Sequence, residues 1–154
     1  MSHEVKLLAF SGSTREGSFN RMLLGYAVEG ARDAGAVVTE LSLKDYDMPL
    51  YDGDLEDRDG IPEAALELKE LFHAYQGFLI ASPEYNGFFP AVLKNTLDWI
   101  SRPVPENTLV PFKNKSAALL SASPGGLGGV RGLMQLRTQL SNLQVLVLPQ
   151  QVNV

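Results

Sequence analysis

The chain has 154 residues, of which 45% are hydrophobic, and this length and composition predict one domain, residues 1–154, with a sizeable core. Its formal net charge of −5 opposes non-specific binding to nucleic acid or to an anionic membrane, because the long-range field has the wrong sign. It has no cysteine, which excludes disulfides, thiolate metal sites and thiol redox chemistry. No apolar run exceeds four residues, so we expect neither a membrane span nor a secretory signal, and we expect a cytoplasmic protein.

Apolar, strand-like runs alternate along the chain with helical patterns. The strands are predicted at residues 5–10, 37–43, 77–81, 116–121 and 145–148, and the helices are predicted to begin near Ser18, Pro62, Pro90 and Gly129. This βαβαβαβαβ alternation is typical of a parallel sheet with helices on both faces. The second strand alternates in polarity, which predicts an edge strand, and the acidic stretch 44–63 is predicted to be the only long loop.

The first loop, residues 11–18, follows a predicted strand and precedes a predicted helix. Its part from Gly12 to Ser18 holds three hydroxyl side chains and the cation Arg15 near a helix N-terminus, whose free N–H groups and dipole favour a phosphate. An ordinary turn with Ser18 as the N-cap explains the same residues. Two familiar phosphate loops are excluded, because Ser18 and Phe19 stand where a P-loop needs Lys and Ser or Thr, and Thr14 replaces the middle glycine of the dinucleotide fingerprint.

Two further unusual loops leave the ends of predicted strands. The second loop, residues 82–87, reads Ser-Pro-Glu-Tyr-Asn-Gly, and the third loop, residues 123–129, reads Ser-Pro-Gly-Gly-Leu-Gly-Gly. Each by itself is also compatible with a plain turn or a common glycine-rich connection. A strand order of 2-1-3-4-5 would bring the first and second loops into one crevice at the carboxyl edge of the sheet, where open α/β sheets bind ligands. Three such loops together favour a ligand site over three turns.

These loops and their flanking residues resemble those of the NAD(P)H-dependent FMN reductases, a family with a flavodoxin-like fold and with chromate- and quinone-reducing members. The resemblance covers nearly the whole chain and is carried by residues 12–20, 82–102 and 123–129. It implies an α/β fold with an open parallel five-stranded sheet of order 2-1-3-4-5, helices on both faces, and a bound FMN. The cofactor-binding residues that it implies are Ser11, Ser13, Thr14, Arg15, Ser18, Phe19 and Asn20 in and beside the first loop, Pro83, Glu84, Tyr85, Asn86 and Gly87 along the ribityl chain and ring, and Ser123, Gly125 and Gly126 beside the isoalloxazine.

The resemblance also implies a homodimer or homotetramer with the flavin near the subunit interface. The helix from Pro90 and the residues before it carry more apolar side chains than the cover of a sheet needs, which predicts an interface anchored by Trp99 or a neighbouring Phe. Burial of this helix by the loop 103–111 is the alternative. Members of the family continue past the last strand into a further helix on the sheet face of the first helix, whereas this sequence stops at Val154. A truncated chain, a disordered tail and a cover from a partner subunit are the open explanations.

In the reaction that the resemblance implies, NADPH or NADH gives a hydride to FMN N5, leaves, and is replaced by a quinone, free flavin, an azo compound or a metal oxyanion in a ping-pong order. No side chain is assigned a catalytic role. Glu84 is expected to be solvated or salt-bridged, and Tyr85 to pack against the flavin. Backbone donors near Gly125 and Gly126 and the adjacent helix N-terminus are expected to stabilise charge at N1 and O2.

Other assignments stay open at this point. Arg131 could meet a 2′-phosphate of the nucleotide, the FMN, or a partner in a surface salt bridge. No metal is expected, because His3 and His73 lack a cluster of ligand partners. The alternative function is a non-enzymatic FMN electron carrier, a flavodoxin, whose phosphate loop usually lacks Arg, so Arg15 favours the reductase. A flavin-free binding module on the same fold would leave Arg15 unexplained.

Overall fold

Five parallel strands and five α-helices make up the part of the chain that the computed structural model describes, residues 4–104 and 110–154. The strands are β1 Lys6–Ser11, β2 Val37–Ser42, β3 Gly77–Ala81, β4 Ser116–Ser121 and β5 Leu146–Asn153. The helices are α1 Phe19–Asp33, α2 Gly53–Asp59, α3 Glu63–Ala74, α4 Ala91–Ser101 and α5 Val130–Asn142, with a 3₁₀ turn at Leu43–Asp45. The strands form one sheet in the order β2-β1-β3-β4-β5, which confirms the predicted order and the edge position of β2.

The apolar residues of the strands divide between the two faces of the sheet, because successive side chains of a strand point to opposite sides. One face packs against α3, α4 and α5, and its core includes the contacts of the Phe10 ring with those of Phe72 and Phe78, at centroid distances of 5.2 and 6.3 Å. The other face packs against α1 through Leu24 and Val28. Full burial of each such side chain contributes about 1.5–3 kcal/mol to stability. The central strands are covered on both faces, which explains their almost continuous apolar sequences.

The second face of the sheet is only partly covered in the described residues, because α1 is the one helix that packs there. Met22 and Tyr26 of α1 are 52% and 75% exposed, and Leu146 and Val152 of β5 are 69% and 44% exposed. The exposed side chains do not mark a membrane helix, since no described helix is long and apolar enough to cross a bilayer.

α4 is covered by the chain segment that follows β2. Trp99 is fully buried, its indole Nε1 donates to the carbonyl oxygen of Pro49 at 2.8 Å, and its ring meets that of Tyr51 edge-on at 5.0 Å. Trp99 is therefore not available as an interface anchor, and of the two predicted anchors the neighbouring Phe is left. Phe88, just before the helix, is 44% exposed. Residues 105–109 of the alternative cover, the loop 103–111, lie outside the described residues.

The acidic stretch 44–63 contains α2, so the prediction of one long loop is wrong. The side chain of Asp52 caps this helix by accepting a hydrogen bond from the N–H of Asp54 at 2.9 Å. Glu56 accepts further hydrogen bonds from Arg102 Nε and from the hydroxyl of Tyr51, each at 2.9 Å. These tertiary contacts hold a helix that is too short to be stable by itself.

β5 is longer than predicted because it continues past a proline. Its register against β4 shifts between Ala117 and Leu119, where residues 148–150 lie opposite a single residue, and this bulge accommodates Pro149. Arg137 of α5 supports the bulge by donating to the carbonyl oxygen of Leu148 at 2.7 Å. The extra strand length carries the chain to Asn153, beside the third loop.

Candidate active site

The first, second and third loops start side by side at the carboxyl edge of the sheet. The N–H of Gly12 donates to the carbonyl oxygen of Ala81, and the N–H of Ser82 donates to that of Leu120, both at 2.9 Å. The parallel ladder thus continues past the strand ends into the loops. The structure confirms the predicted placement of the loops in one region, at the position where open α/β sheets bind ligands.

The first loop combines buried hydroxyls with an exposed cationic tip. Ser11, Ser13 and Ser18 are buried, whereas Thr14 and Arg15 are exposed. Ser18 is the N-cap of α1, and its Oγ accepts a hydrogen bond from the N–H of Arg21 at 3.4 Å. The N–H groups at the first two helical positions have no partner in the described residues and remain free for an anion.

Asn20 ties the first loop to the third. Its Nδ2 donates to the carbonyl oxygen of Ala122, and its Oδ1 accepts from the N–H of Ala122, both at 2.9 Å. The side chain is buried, with 4% of its surface exposed. The family resemblance implies a phosphate contact for Asn20, but both ends of its amide are used by the protein here.

The second loop is a tight turn that presents an aromatic ring. Tyr85 and Phe88 exchange two backbone hydrogen bonds of 2.8 and 3.1 Å around Asn86 and Gly87, whose φ values are +53° and +79°. Two consecutive positive φ values make a type I′ turn, for which Asn-Gly is the favoured sequence. Pro83 is buried and Tyr85 is 48% exposed, so the turn holds the Tyr85 ring at the surface of the site.

Glu84 points away from solvent and toward α5. Its carboxylate accepts hydrogen bonds from Arg131 Nε at 2.8 Å and from the N–H of Gly132 at 3.0 Å. The hydrogen bond from Gly132 and the nearby Arg131 cation lower the pKa of this carboxyl below its ordinary value. Glu84 is therefore salt-bridged, as predicted, and of the roles left open for Arg131 the structure shows the salt bridge.

Side chains of Asn153 and Ser123 hold the third loop by hydrogen bonds, and the loop has free space beside Gly126. Asn153 Nδ2 donates to the carbonyl oxygen of Gly128 at 3.1 Å, and Ser123 Oγ accepts from the N–H of Gly125 at 3.2 Å. Gly129 is required by the fold, because its φ is +75° and a Cβ there would lie 2.0 Å from the Oγ of Ser121. A Cβ on Gly126 would meet nothing within 4 Å, so the protein alone does not require glycine there.

Several cavities of the described residues adjoin these loops, and the two that concern the predicted site residues most fall in the size range of small-molecule sites. One, of about 520 Å³, lies between the second and third loops; its lining includes Glu84, Asn86, Gly87, Ser123, Gly125, Gly126 and Arg131. The other, of about 570 Å³, lies beside the first loop; its lining includes Ser11, Ser13, Gly17, Ser18, Arg21, Glu40, Ser42 and Asp45.

Sequence reasoning missed several residues of this region. Arg21 and Ser42 line the cavity beside the first loop, and the side chain of Asn153 donates a hydrogen bond to the third loop. The parallel pairing of Ser11 with Ser42 in β1 and β2 could have indicated Ser42 once the strand order was assumed. Nothing local to the sequence indicates Asn153, because it reaches the third loop through the bulge of β5.

The described residues contain no group of three His, Cys, Asp or Glu side chains that could hold a metal ion. His73 Nδ1 instead accepts a hydrogen bond from the N–H of Val110 at 3.0 Å. His3 lies outside the described residues.

Comparison with known proteins places this site in a family. The family model described as NADPH-dependent FMN reductase matches residues 5–154. An NAD(P)H-dependent FMN reductase of Pseudomonas aeruginosa is 40% identical over 148 residues, covering 94% of this chain and 74% of the relative. A quinone reductase of Escherichia coli is 34% identical over 148 residues, covering 96% and 76%. Among solved structures, the flavoenzyme NAD(P)H:(acceptor) oxidoreductase FerB of Paracoccus denitrificans superposes with a TM-score of 0.79 at 28% identity, covering 96% of this chain and 78% of that one.

Proposed function

The chain belongs to the NADPH-dependent FMN reductase family, and we propose that it binds FMN across its three loops and passes reducing equivalents from NADPH or NADH to quinones and similar small acceptors. The observation that carries the proposal is the convergence of three loops, held together by protein contacts, at the ligand-binding edge of the sheet. Flavodoxins, the non-enzymatic electron carriers of the alternative function, share this fold but belong to a different family.

The residues present fit FMN on two grounds. The first loop supplies the donors that a phosphate monoester needs, namely buried hydroxyls, the cation Arg15 and the unpartnered N–H groups at the start of α1. The third loop leaves a space at Gly126 that a side chain would fill and that the protein does not use. FMN, when bound, supplies a ring that accepts a hydride from a nicotinamide at N5 and returns the electrons to an acceptor.

The protein residues position the ring and tune its surroundings. Ser13, Ser18 and Arg15 would hold the phosphate, and Pro83 and Tyr85 would border the ring. The N–H of Gly126 is without a partner among the described residues and would donate to the polar edge of the ring. The start of α5 is already capped by Glu84, so the expected contribution of that helix N-terminus to charge stabilisation does not fit this structure.

No side chain is proposed to transfer a proton. The carboxylate of Glu84 is held by Arg131 and Gly132, which leaves it neither a free lone pair directed at the ring nor a raised pKa. The cavity between the second and third loops is open on one side and would admit a nicotinamide and then an acceptor in turn. We therefore propose a ping-pong order, with quinones, free flavin, azo compounds or metal oxyanions as acceptors.

We further propose that the chain forms a homodimer or homotetramer and is cytoplasmic. A homodimer or homotetramer would cover Phe88 and the exposed Tyr85 ring near the site. A cytoplasmic location would give access to NADPH and NADH.

The test is a steady-state assay of the FMN-loaded protein with NADPH, NADH and a benzoquinone. We expect oxidation of at least one nucleotide that depends on both FMN and quinone, with parallel double-reciprocal lines when the two substrates are varied. A protein that binds FMN but oxidises neither nucleotide would contradict the reductase and leave the electron carrier.

A further inference from the structure

The helix α5 begins without a capping side chain of its own. Its N-cap residue is Gly129, and the first turn contains no acidic residue. The capping carboxylate comes instead from Glu84, 48 residues earlier in the chain, which accepts the N–H of Gly132 at 3.0 Å. Only 9% of the Glu84 side chain is exposed, whereas its outer partner Arg131 is 63% exposed.

The same residue is in steric contact with the start of the helix. A Cβ on Gly132 would lie 3.1 Å from the Cβ of Glu84 and 3.3 Å from its Cα, which is tighter than most Cβ contacts, so Glu84 would have to move by a few tenths of an ångström. A glycine at this position thus lets the second loop approach α5 directly. Hydrogen bond and backbone contact together fix the distance between the second loop and the helix that follows the third loop.

We propose that Glu84 is a positioning residue. It sets the separation of the second and third loops and therefore the width of the cavity between them, which would take the flavin ring. The inference rests on the proposed function, because those loops are proposed to border the ring. Arg131 contributes less, since its own side chain is largely exposed and its ion pair with Glu84 is therefore screened by solvent.

Two kinds of variant separate positioning from simple stability. Glu84→Ala removes the cap, and Glu84→Gln keeps an oxygen that accepts from Gly132. Gly132→Ala keeps the carboxylate but adds a methyl group that presses on the Cβ and Cα of Glu84. Its matched control is Gly30→Ala in α1, where a Cβ would meet nothing within 4 Å. Both glycine replacements raise helix propensity, so a loss specific to Gly132→Ala reports the spacing of the loops.

The readouts are the FMN dissociation constant from fluorescence titration, the absorption spectrum of the bound flavin, and hydrogen exchange of residues 130–133 in the FMN-free protein. We expect Glu84→Ala and Gly132→Ala to weaken FMN about tenfold or more and to shift the spectrum. Glu84→Gln should restore most of the affinity, and Gly30→Ala should leave it unchanged. Exchange at residues 130–133 should accelerate in Glu84→Ala and not in Glu84→Gln.

Wild-type affinity and spectrum in both Glu84→Ala and Gly132→Ala would overturn the proposal, as would unchanged exchange in Glu84→Ala. If Glu84→Ala does not fold, Gly132→Ala against Gly30→Ala decides by itself. A wild-type protein that binds no FMN would instead contradict the proposed function, while the exchange experiment would still report whether Glu84 holds the start of α5.

Discussion

The side-chain amide of Asn20 and the backbone of Ala122 exchange two hydrogen bonds of 2.9 Å across the carboxyl edge of the sheet. Asn20 belongs to the start of α1, just after the first loop, and Ala122, 102 positions later, lies between β4 and the third loop. The pair therefore joins the loop proposed for the phosphate to the loop proposed for the ring. A buried amide with both ends satisfied fixes its partners more firmly than a single contact would.

Replacing Asn20 with Ala should destabilise the FMN-free protein by about 2 kcal/mol, because the N–H and C=O of the half-buried Ala122 both lose their partners. Urea unfolding measures the loss. Asn20→Asp keeps the acceptor but sets a carboxylate oxygen against the carbonyl oxygen of Ala122, so it should not restore the stability. Equal stability of wild type and Asn20→Ala would contradict a tie between the loops.

Replacing Arg15 with Ala should weaken FMN binding by about ten- to a hundredfold, because a charge-assisted phosphate contact is lost. Arg15 is exposed, so thermal stability without FMN should not change. Riboflavin is the control ligand, because it lacks the phosphate. Wild type and Arg15→Ala should bind it with the same affinity. A similar loss for riboflavin would remove Arg15 from the phosphate site.

Ser121 Oγ is a buried hydroxyl without a hydrogen-bond partner in the described residues. Replacing Ser121 with Ala should therefore keep or raise stability, by up to about 1 kcal/mol. Ser82→Ala is the control, because its buried Oγ donates to the carbonyl oxygen of Pro83 at 3.1 Å and its loss should destabilise. Thermal unfolding that shows the opposite ranking would contradict the account of this part of the core.

The hydrogen bond from Arg102 is the main cause that holds the pKa of Glu56 below its ordinary value of 4.5. A lowered folded pKa means that the unfolded chain binds more protons at acidic pH, so stability from this group is complete above about pH 4.5 and is lost as pH falls through the folded pKa. Glu56→Gln should therefore flatten the acid side of the stability profile in urea unfolding. The control is Glu70→Gln, at an exposed carboxylate of α3. If the free energy of unfolding fell as steeply with acid in Glu56→Gln as in wild type, Glu56 would not be the source of this pH dependence.

The sequence was sufficient for features that depend on local pattern. Periodicity and the residues before each helix predicted the alternation of strands and helices and the starts of α1, α3, α4 and α5. The strand order came from the family resemblance, and the sheet confirms it. Features that depend on distant partners were missed. The burial of Trp99 requires the carbonyl of Pro49, and the amide of Asn20 requires the backbone of Ala122. Neither partner is marked by composition or spacing.

The central claim is that this fold lets a nicotinamide reach a bound flavin directly. The most direct measurement is anaerobic rapid mixing of the FMN-loaded protein with NADPH and, separately, NADH, followed by addition of a quinone. We expect one nucleotide to bleach the flavin absorbance in a single step from the oxidised to the fully reduced form, and the quinone to restore it. A flavin that dithionite reduces but that neither nucleotide bleaches would contradict the account.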